Sequence, residues 1–211
     1  MNLYENRILP RIIDQICGHR AFAEQRAKVV PRARGRVLEV GYGSGTSLPW
    51  YRPDQVDTLI ALDPADGAMA LAAKREAGAR FPIEHLALRG EEVPLDGGSV
   101  DSIVVTYTLC TIPNVAGALA EMRRVLKPDG ELLFAEHGSA PTETRRRWQA
   151  RIAPAWAAVF GGCQLTRKPP ELLEEAGFRL EISEVLDLEK PPRIPGVSLV
   201  RYNYVGVARP A

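Results

Sequence analysis

Arg36 to Thr46 reads R-V-L-E-V-G-Y-G-S-G-T. Val37, Leu38 and Val40 form an apolar run broken by one carboxylate, Glu39, and the run passes directly into Gly41, Gly43 and Gly45. This pattern predicts a buried strand that ends in a ligand loop. Glycine carries no Cβ and tolerates positive φ, so a ligand can approach bare main chain and meet its N–H groups. Two kinds of ligand compete for such a loop. A dinucleotide fingerprint, G-x-G-x-x-G, would put its third glycine where this chain has Thr46. The third glycine comes one residue early. A carboxylate two residues before the first glycine would also repel a pyrophosphate, whereas it suits a cation. An ordinary glycine turn between strand and helix is the plain alternative.

Upstream of the loop, Ile8, Leu9, Ile12, Ile13 and Ile16 recur at helical spacing, which predicts a helix from about Leu3 to Cys17. A shorter helix is expected from Ala21 to Val30, stopping near Pro31. Residues 1–34 would then cover one side of a sheet within the same domain as 35–211, or form a lid over the ligand with Tyr4 near the site.

Downstream, Thr58 to Leu62 reads as a strand ending in Asp63, reached from Gly45 by one helical crossover. That places the acid at the carboxyl end of a strand beside the glycine loop, where ligands bind in open α/β sheets. Asp63 could accept hydrogen bonds from two ribose hydroxyls, or could cap the following helix. An alanine-rich helix, Ala65 to Ala77, is closed by Gly78. Further strands are expected at Pro82 to Leu88, Val100 to Thr106 and Glu131 to Glu136, with a helix from Pro113 stopped by K-P-D-G. Five strands alternating with helices indicate a parallel sheet. The last part, Phe178 to Leu188 and Ser198 to Ala208, predicts a closing hairpin joined by K-P-P-R-I-P-G, a link that could line a pocket.

The chain has 211 residues, 45% of them hydrophobic, which suits one packed domain. With 27 basic and 26 acidic residues the net charge is +1, so there is no field to hold a polyanion, and no nucleic-acid partner is expected. No run approaches the roughly 18 apolar residues of a membrane helix, and the first residues show no signal-peptide pattern. A cytoplasmic protein without an integral membrane segment is the expectation. Cys17, Cys110 and Cys163 are far apart and make no C-x-x-C, so neither a metal site nor a disulfide framework is indicated by spacing. Nothing in the sequence sets the oligomeric state.

Four blocks in order, V-L-E-V-G-Y-G-S-G, L-D-P, G-E-E-V-P-L-D-G-G-S-V-D and V-L-K-P-D-G-E-L-L-F-A-E-H, resemble the class I S-adenosylmethionine-dependent methyltransferases over about Val37 to His137. The resemblance implies a Rossmann-like doubly wound, mostly parallel seven-stranded sheet with an antiparallel C-terminal strand and an N-terminal helical lid. It also implies S-adenosylmethionine as cofactor: Gly41, Gly43 and Gly45 around its methionine part, Glu39 holding its ammonium, Asp63 and Pro64 at its ribose, Gly90 and Glu91 beside its adenine, and Thr106 nearby. Two departures from the family pattern are Arg89, where many relatives carry Asp, and Tyr42, bulkier than the usual residue between the first two glycines. The blocks T-L-C-T, A-E-H and F-G-G-C-Q-L-T-R resemble more narrowly the methyltransferase-like seven family of thiol S-methyltransferases. The acceptor implied is a small molecule, most readily a thiol; a lipid amine or quinone, and a cofactor-binding scaffold without turnover, are the alternatives.

A thiol acceptor needs little beyond alignment, because its pKa is within reach of neutral pH. His137, at the end of the fifth strand, is the candidate base, or else a structural histidine. Tyr4, Cys110 and Arg167 are the candidate acceptor contacts; Arg167 could equally pin its loop, and Cys110 and Cys163 could be small buried residues. Arg145, Arg146 and Arg147 read as a solvated helix face or a contact for an anionic acceptor or lipid. Trp148, Ile152, Trp156 and Phe160 read as a helix core stripe, kinked or split by Pro154.

Overall fold

The computed structural model describes residues 4–187 and 197–211. Apolar runs flanked by turns become strands: β1 is Gly35–Val40, β2 Val56–Leu62, β3 Ile83–Leu86, β4 Val100–Thr106, β5 Leu126–His137, β6 Phe178–Asp187 and β7 Tyr202–Pro210. They form one seven-stranded sheet in the order β3-β2-β1-β4-β5-β7-β6. The first five are parallel, and β7 runs antiparallel to both β5 and β6. The expected Rossmann-like architecture and its antiparallel C-terminal strand are therefore present.

Alternation along the strands explains why both faces are covered. Leu38 and Val40 point into one core with Ile103, Val105, Met122 and Phe134, whereas Val37 points into the other with Leu59, Val104 and Leu133. A strand buried on both faces has no polar side, hence the near-continuous apolar runs. The chain leaves β1 toward β2 and leaves β4 toward β5, in opposite directions across the sheet, so a crevice opens at the carboxyl ends of β1 and β4.

Helices α1 (Leu9–Cys17) and α2 (Arg20–Val29) precede the sheet, α3 (Asp66–Glu76) and α4 (Val115–Val125) lie between strands, and α5 (Glu143–Val159) and α6 (Pro169–Glu175) follow β5. Parts of α1, α2 and α5 meet over the crevice in a third apolar cluster that contains Ile16, Phe22, Trp156 and Leu165. α1 is tied to the glycine loop through Asp14, which accepts from Ser44 Oγ at 2.6 Å and pairs with Arg75 of α3 at 2.9 Å.

Several elements differ from the sequence expectation. The chain between β1 and β2 contains a single 3₁₀ turn, Leu48–Trp50, where a helical crossover was expected; Pro49 and Pro53 deny a longer helix its donors. α5 runs unbroken through Pro154. The carbonyl deprived of its partner belongs to Ala150, and both residues are exposed, so water can replace the missing N–H. The inward stripe of α5 is Gln149, Ile152, Trp156 and Phe160, and Trp148, one position off it, is 56% exposed. Val200 sits in a 3₁₀ turn, Val197–Val200, ahead of β7. Leu3, Leu188 and the K-P-P-R-I-P-G link lie outside the described residues, and with them the suggestion that the link lines a pocket.

Candidate active site

The loop after β1 is shaped by its own packing. Gly41 has φ +74, and a Cβ there would stand 2.1 Å from Thr108 Oγ1, so only glycine fits between β1 and the turn after β4. Gly43, with φ +56, has nothing nearer than 3.9 Å to such a Cβ, which leaves its main chain open. Its N–H donates to Asp63 Oδ2 at 2.8 Å, while Asp63 Oδ1 accepts from Ala65 N–H at 2.8 Å. Burial raises the Asp63 pKa against the lowering effect of these two donors. Asp63 thus steadies the loop and still has lone pairs facing the crevice.

That crevice is a cavity of about 440 Å³, a size suited to a small molecule. One end is bordered by Asp63, Pro64, Leu88, Gly90, Glu91 and Ile112. Phe22, Cys110, His137, Trp156 and Cys163 border the other.

The second end is set by the turn after β4. Tyr107 has φ +57, a conformation that costs a non-glycine residue on the order of 1–3 kcal/mol and persists only when its surroundings fix it. They do so from several sides. Tyr107 N–H donates to Ala135 at 2.9 Å, its hydroxyl donates to Asn203 Oδ1 at 2.7 Å, and Arg26 lies 4.9 Å over its ring. Glu136, fully buried, accepts from the N–H groups of Thr108 at 2.6 Å and Leu109 at 3.1 Å. Burial pushes the Glu136 carboxyl up to about 7.

This turn delivers Cys110 to His137. Cys163 Sγ lies 3.2 Å from His137 Nε2, and the donor atoms of Cys110, His137 and Cys163 all fall within 4.8 Å of one another. All three residues are buried. The neighbouring Cys110 and His137 hold the Cys163 thiol below its ordinary range. Burial alone would lower the His137 pKa, but the neighbouring Cys163 raises it. His137 Nδ1 and Trp156 Nε1 have no hydrogen-bond partner among the described residues.

Residues 38–134 match the family model described as Methyltransferase domain. Residues 38–134 belong to the methyltransferase-domain family. It is 34% identical over 151 residues to thiol S-methyltransferase TMT1A of Homo sapiens, covering 70% of this chain and 62% of that one. Over 107 residues it is 36% identical to a demethylmenaquinone methyltransferase of Renibacterium salmoninarum, with 51% and 43% covered. The solved structure of geranyl diphosphate methyltransferase in complex with SAM shares the fold, with a TM-score of 0.69 at 13% identity over 90% of this chain and 85% of that one. The chain spans less than two thirds of the length of the human thiol S-methyltransferases it matches.

Of the site residues expected for a methyltransferase, Gly41, Gly43, Asp63, Pro64, Gly90, Glu91, Thr106, Cys110 and His137 border the cavity. Four do not. Glu39 is 1% exposed beneath the loop and accepts from the Tyr51 hydroxyl at 2.8 Å, because its side chain points to the sheet face that packs Tyr51. Burial pushes its carboxyl up to about 7. Gly45 turns away from the cavity toward Tyr42 and Leu48. Tyr4 extends along the outside of α5 and donates to the Val159 carbonyl at 2.6 Å. Arg167 reaches the back of the T-L-C-T turn and donates to the Leu109 carbonyl, which makes it a brace for that turn. In the basic run, Arg145 lies 5.6 Å over the Tyr202 ring, and Arg146 and Arg147 pair with Glu143 on the helix surface.

Sequence reading passed over Arg26, Trp156 and Cys163 as site residues. Arg26 is 2% exposed; its Nε donates to Thr106 Oγ1 at 3.2 Å and its Nη1 to the Cys17 carbonyl at 2.6 Å. The signal was its place in Phe22, Gln25, Arg26 and Val29, an i, i+3, i+4, i+7 stripe that puts the guanidinium on the buried face of α2.

Proposed function

We propose that this methyltransferase domain binds S-adenosylmethionine at the Asp63 end of the cavity and transfers its methyl group to the thiol sulfur of a small acceptor seated against His137 and Cys163. The observation that carries the reading is the composition of the acceptor end. Two cysteines and an imidazole meet there among Phe22 and Trp156, a surface that suits a soft sulfur atom. The family match and the thiol S-methyltransferase relatives support it.

The residues present fit this cofactor. Asp63 would accept from the ribose hydroxyls with the lone pairs left free by Gly43 and Ala65. Gly90, against which Val40, Ala118 and Ile112 pack, would floor a flat slot for the adenine beside Glu91. The open main chain at Gly43 would face the methionine part, and Thr106 the region near the sulfur. Glu39 would act through the loop as a charge beneath it. The cofactor supplies an electrophilic methyl group on a sulfonium.

What the chain supplies is placement. Much of the barrier to a two-body displacement disappears when the reacting atoms are held in line. A thiol must also become a thiolate, and its pKa makes that a small step. His137 and Cys163 are positioned against the sulfur that must lose its proton, and the aromatic walls line the path of the methyl group.

The test is a panel of aliphatic and aromatic thiols, a phospholipid amine and a quinol, each incubated with the full chain and methyl-labelled cofactor. Label is expected in a thioether. Transfer confined to the amine or the quinol ring would sink the sulfur assignment, and tight cofactor binding without transfer to anything would favour the scaffold.

A further inference from the structure

We infer that Cys110, His137 and Cys163 form a three-ligand site for a zinc ion, with its fourth coordination position open to the cavity and taken by the acceptor's thiolate. The coordination of the acceptor rests on the thiol reading above; the metal site itself rests on geometry alone.

Zinc in a catalytic site takes three protein ligands and leaves one position to water or substrate. With Zn–S near 2.3 Å and Zn–N near 2.0–2.1 Å, neighbouring donors of a tetrahedron stand about 3.5–3.8 Å apart. Cys163 Sγ and His137 Nε2 are 3.2 Å apart, and all three donor atoms lie within 4.8 Å of one another. Side-chain adjustments of about 1 Å would close the site on a single ion.

Ligand chemistry points the same way. Two sulfurs and an imidazole nitrogen suit zinc and disfavour magnesium or calcium, which take oxygen donors. Two thiolates and one Zn²⁺ sum to no net charge, which matters for donors buried against Phe22 and Trp156, where an uncompensated ion is costly.

The three ligands come from separate supports: Cys110 from the turn that Glu136 and Arg167 brace, His137 from the end of β5, and Cys163 from the segment after α5. No two are close in sequence, so the spacing rules for zinc motifs pass over them.

The site also gives the acceptor a way to lose its proton. A thiol R–SH that coordinates the open position releases its proton to water and binds as R–S⁻. Its sulfur then forms the new S–CH₃ bond as the methyl–sulfonium bond breaks, and that bond's electron pair stays on the departing thioether of S-adenosylhomocysteine. The product R–S–CH₃ is a neutral and weaker ligand and leaves the metal.

Cobalt substitution tests the site without any methyl transfer. The reduced full chain is titrated with Co²⁺ alone, then with Zn²⁺. One equivalent is expected to bind, with sulfur-to-cobalt charge transfer and the intense visible bands of four-coordinate cobalt, all abolished by zinc. Cys110→Ser and Cys163→Ser should each weaken binding at least about tenfold while retaining cofactor affinity as a check on folding. Cys17→Ser should keep the spectrum. Addition of a small thiol should increase the charge-transfer intensity as a further thiolate joins. Absence of the band in the unaltered chain, or its survival in both serine variants, overturns the metal site. Loss of the band in Cys17→Ser, or a cobalt spectrum indifferent to every thiol, overturns the open position. A thiol-responsive spectrum without transfer to any thiol would leave the metal site standing and remove the thiol methyltransferase reading.

Discussion

Gly43 donates its backbone N–H to Asp63 Oδ2 at 2.8 Å, so the glycine loop and the end of β2 are joined before any cofactor arrives. One carboxylate therefore shapes the loop and, on the proposed reading, also offers its remaining lone pairs to the ribose.

Asp63→Ala removes both roles. Cofactor affinity is expected to fall at least about tenfold, as for the loss of hydrogen bonds to a charged acceptor. Asp63→Asn, which keeps one acceptor oxygen, should lose less. Calorimetric titration with S-adenosylmethionine reads both, and equal affinity in all three proteins would remove Asp63 from the ribose role.

Two glycines of one loop should respond differently to a single methyl group. Gly41→Ala puts a Cβ 2.1 Å from Thr108 Oγ1 at φ +74 and should cost about 2–4 kcal/mol of stability in urea unfolding. Gly43→Ala meets nothing within 3.9 Å, so its stability cost should be the smaller, about 1 kcal/mol from φ alone. Its larger effect should be on cofactor affinity. A reversed order of stabilities would mean that the loop packs differently.

Glu39 should make the ligand-free protein less stable as pH rises. Burial lifts its carboxyl from 4.5 to about 7. The folded state then binds more protons than the unfolded one between those values, so its stabilising share is complete below about 4.5 and is lost as pH climbs toward 7. The full shift corresponds to about 3 kcal/mol. Glu39→Gln should flatten that part of the profile, and urea midpoints taken from pH 4.5 to 7.5 check it; parallel curves for the two proteins would show that Glu39 does not titrate there.

Trp148 and Trp156 lie two turns apart on α5 and should differ sharply. Trp148 is 56% exposed, and Trp148→Ala should change stability by no more than about 0.5 kcal/mol. Trp156 is 7% exposed in the cluster over the crevice, and Trp156→Ala should cost about 3–5 kcal/mol. Thermal unfolding of the two variants decides it.

The parts legible in the sequence are those governed by local pattern. Val37 to Val40 is apolar because β1 is buried on both faces, and Gly41 is glycine because its backbone has no room for a side chain. The parallel sheet follows from the alternation of strands and helices. The crossover after β1 was misread because Pro49 and Pro53 cut short a helix that the topology alone would have expected. Motifs at the strand ends placed Gly41, Gly43, Asp63 and Gly90 at what proves to be the border of the cavity. Cys163 was not placed there: nothing near it in sequence announces His137, and their meeting depends on how α5 returns over the sheet. Tyr4 and Arg167 failed for the same reason, as long side chains whose direction is set by partners far along the chain, Val159 and Leu109.

Arg26 carries a kinetic consequence. Its guanidinium is fixed in the cavity wall by Thr106 and the Cys17 carbonyl. On the proposed reading, the cofactor would bring a positively charged sulfur into the cavity that Arg26 borders, and after transfer that sulfur would be a neutral thioether. The fixed charge would repel the first and be indifferent to the second. The spent cofactor would then be the better tenant, and progress curves should bend early through product inhibition and straighten when a hydrolase clears S-adenosylhomocysteine. How fast this enzyme runs would then be set by the ratio of fresh to spent cofactor in its surroundings as much as by the supply of acceptor.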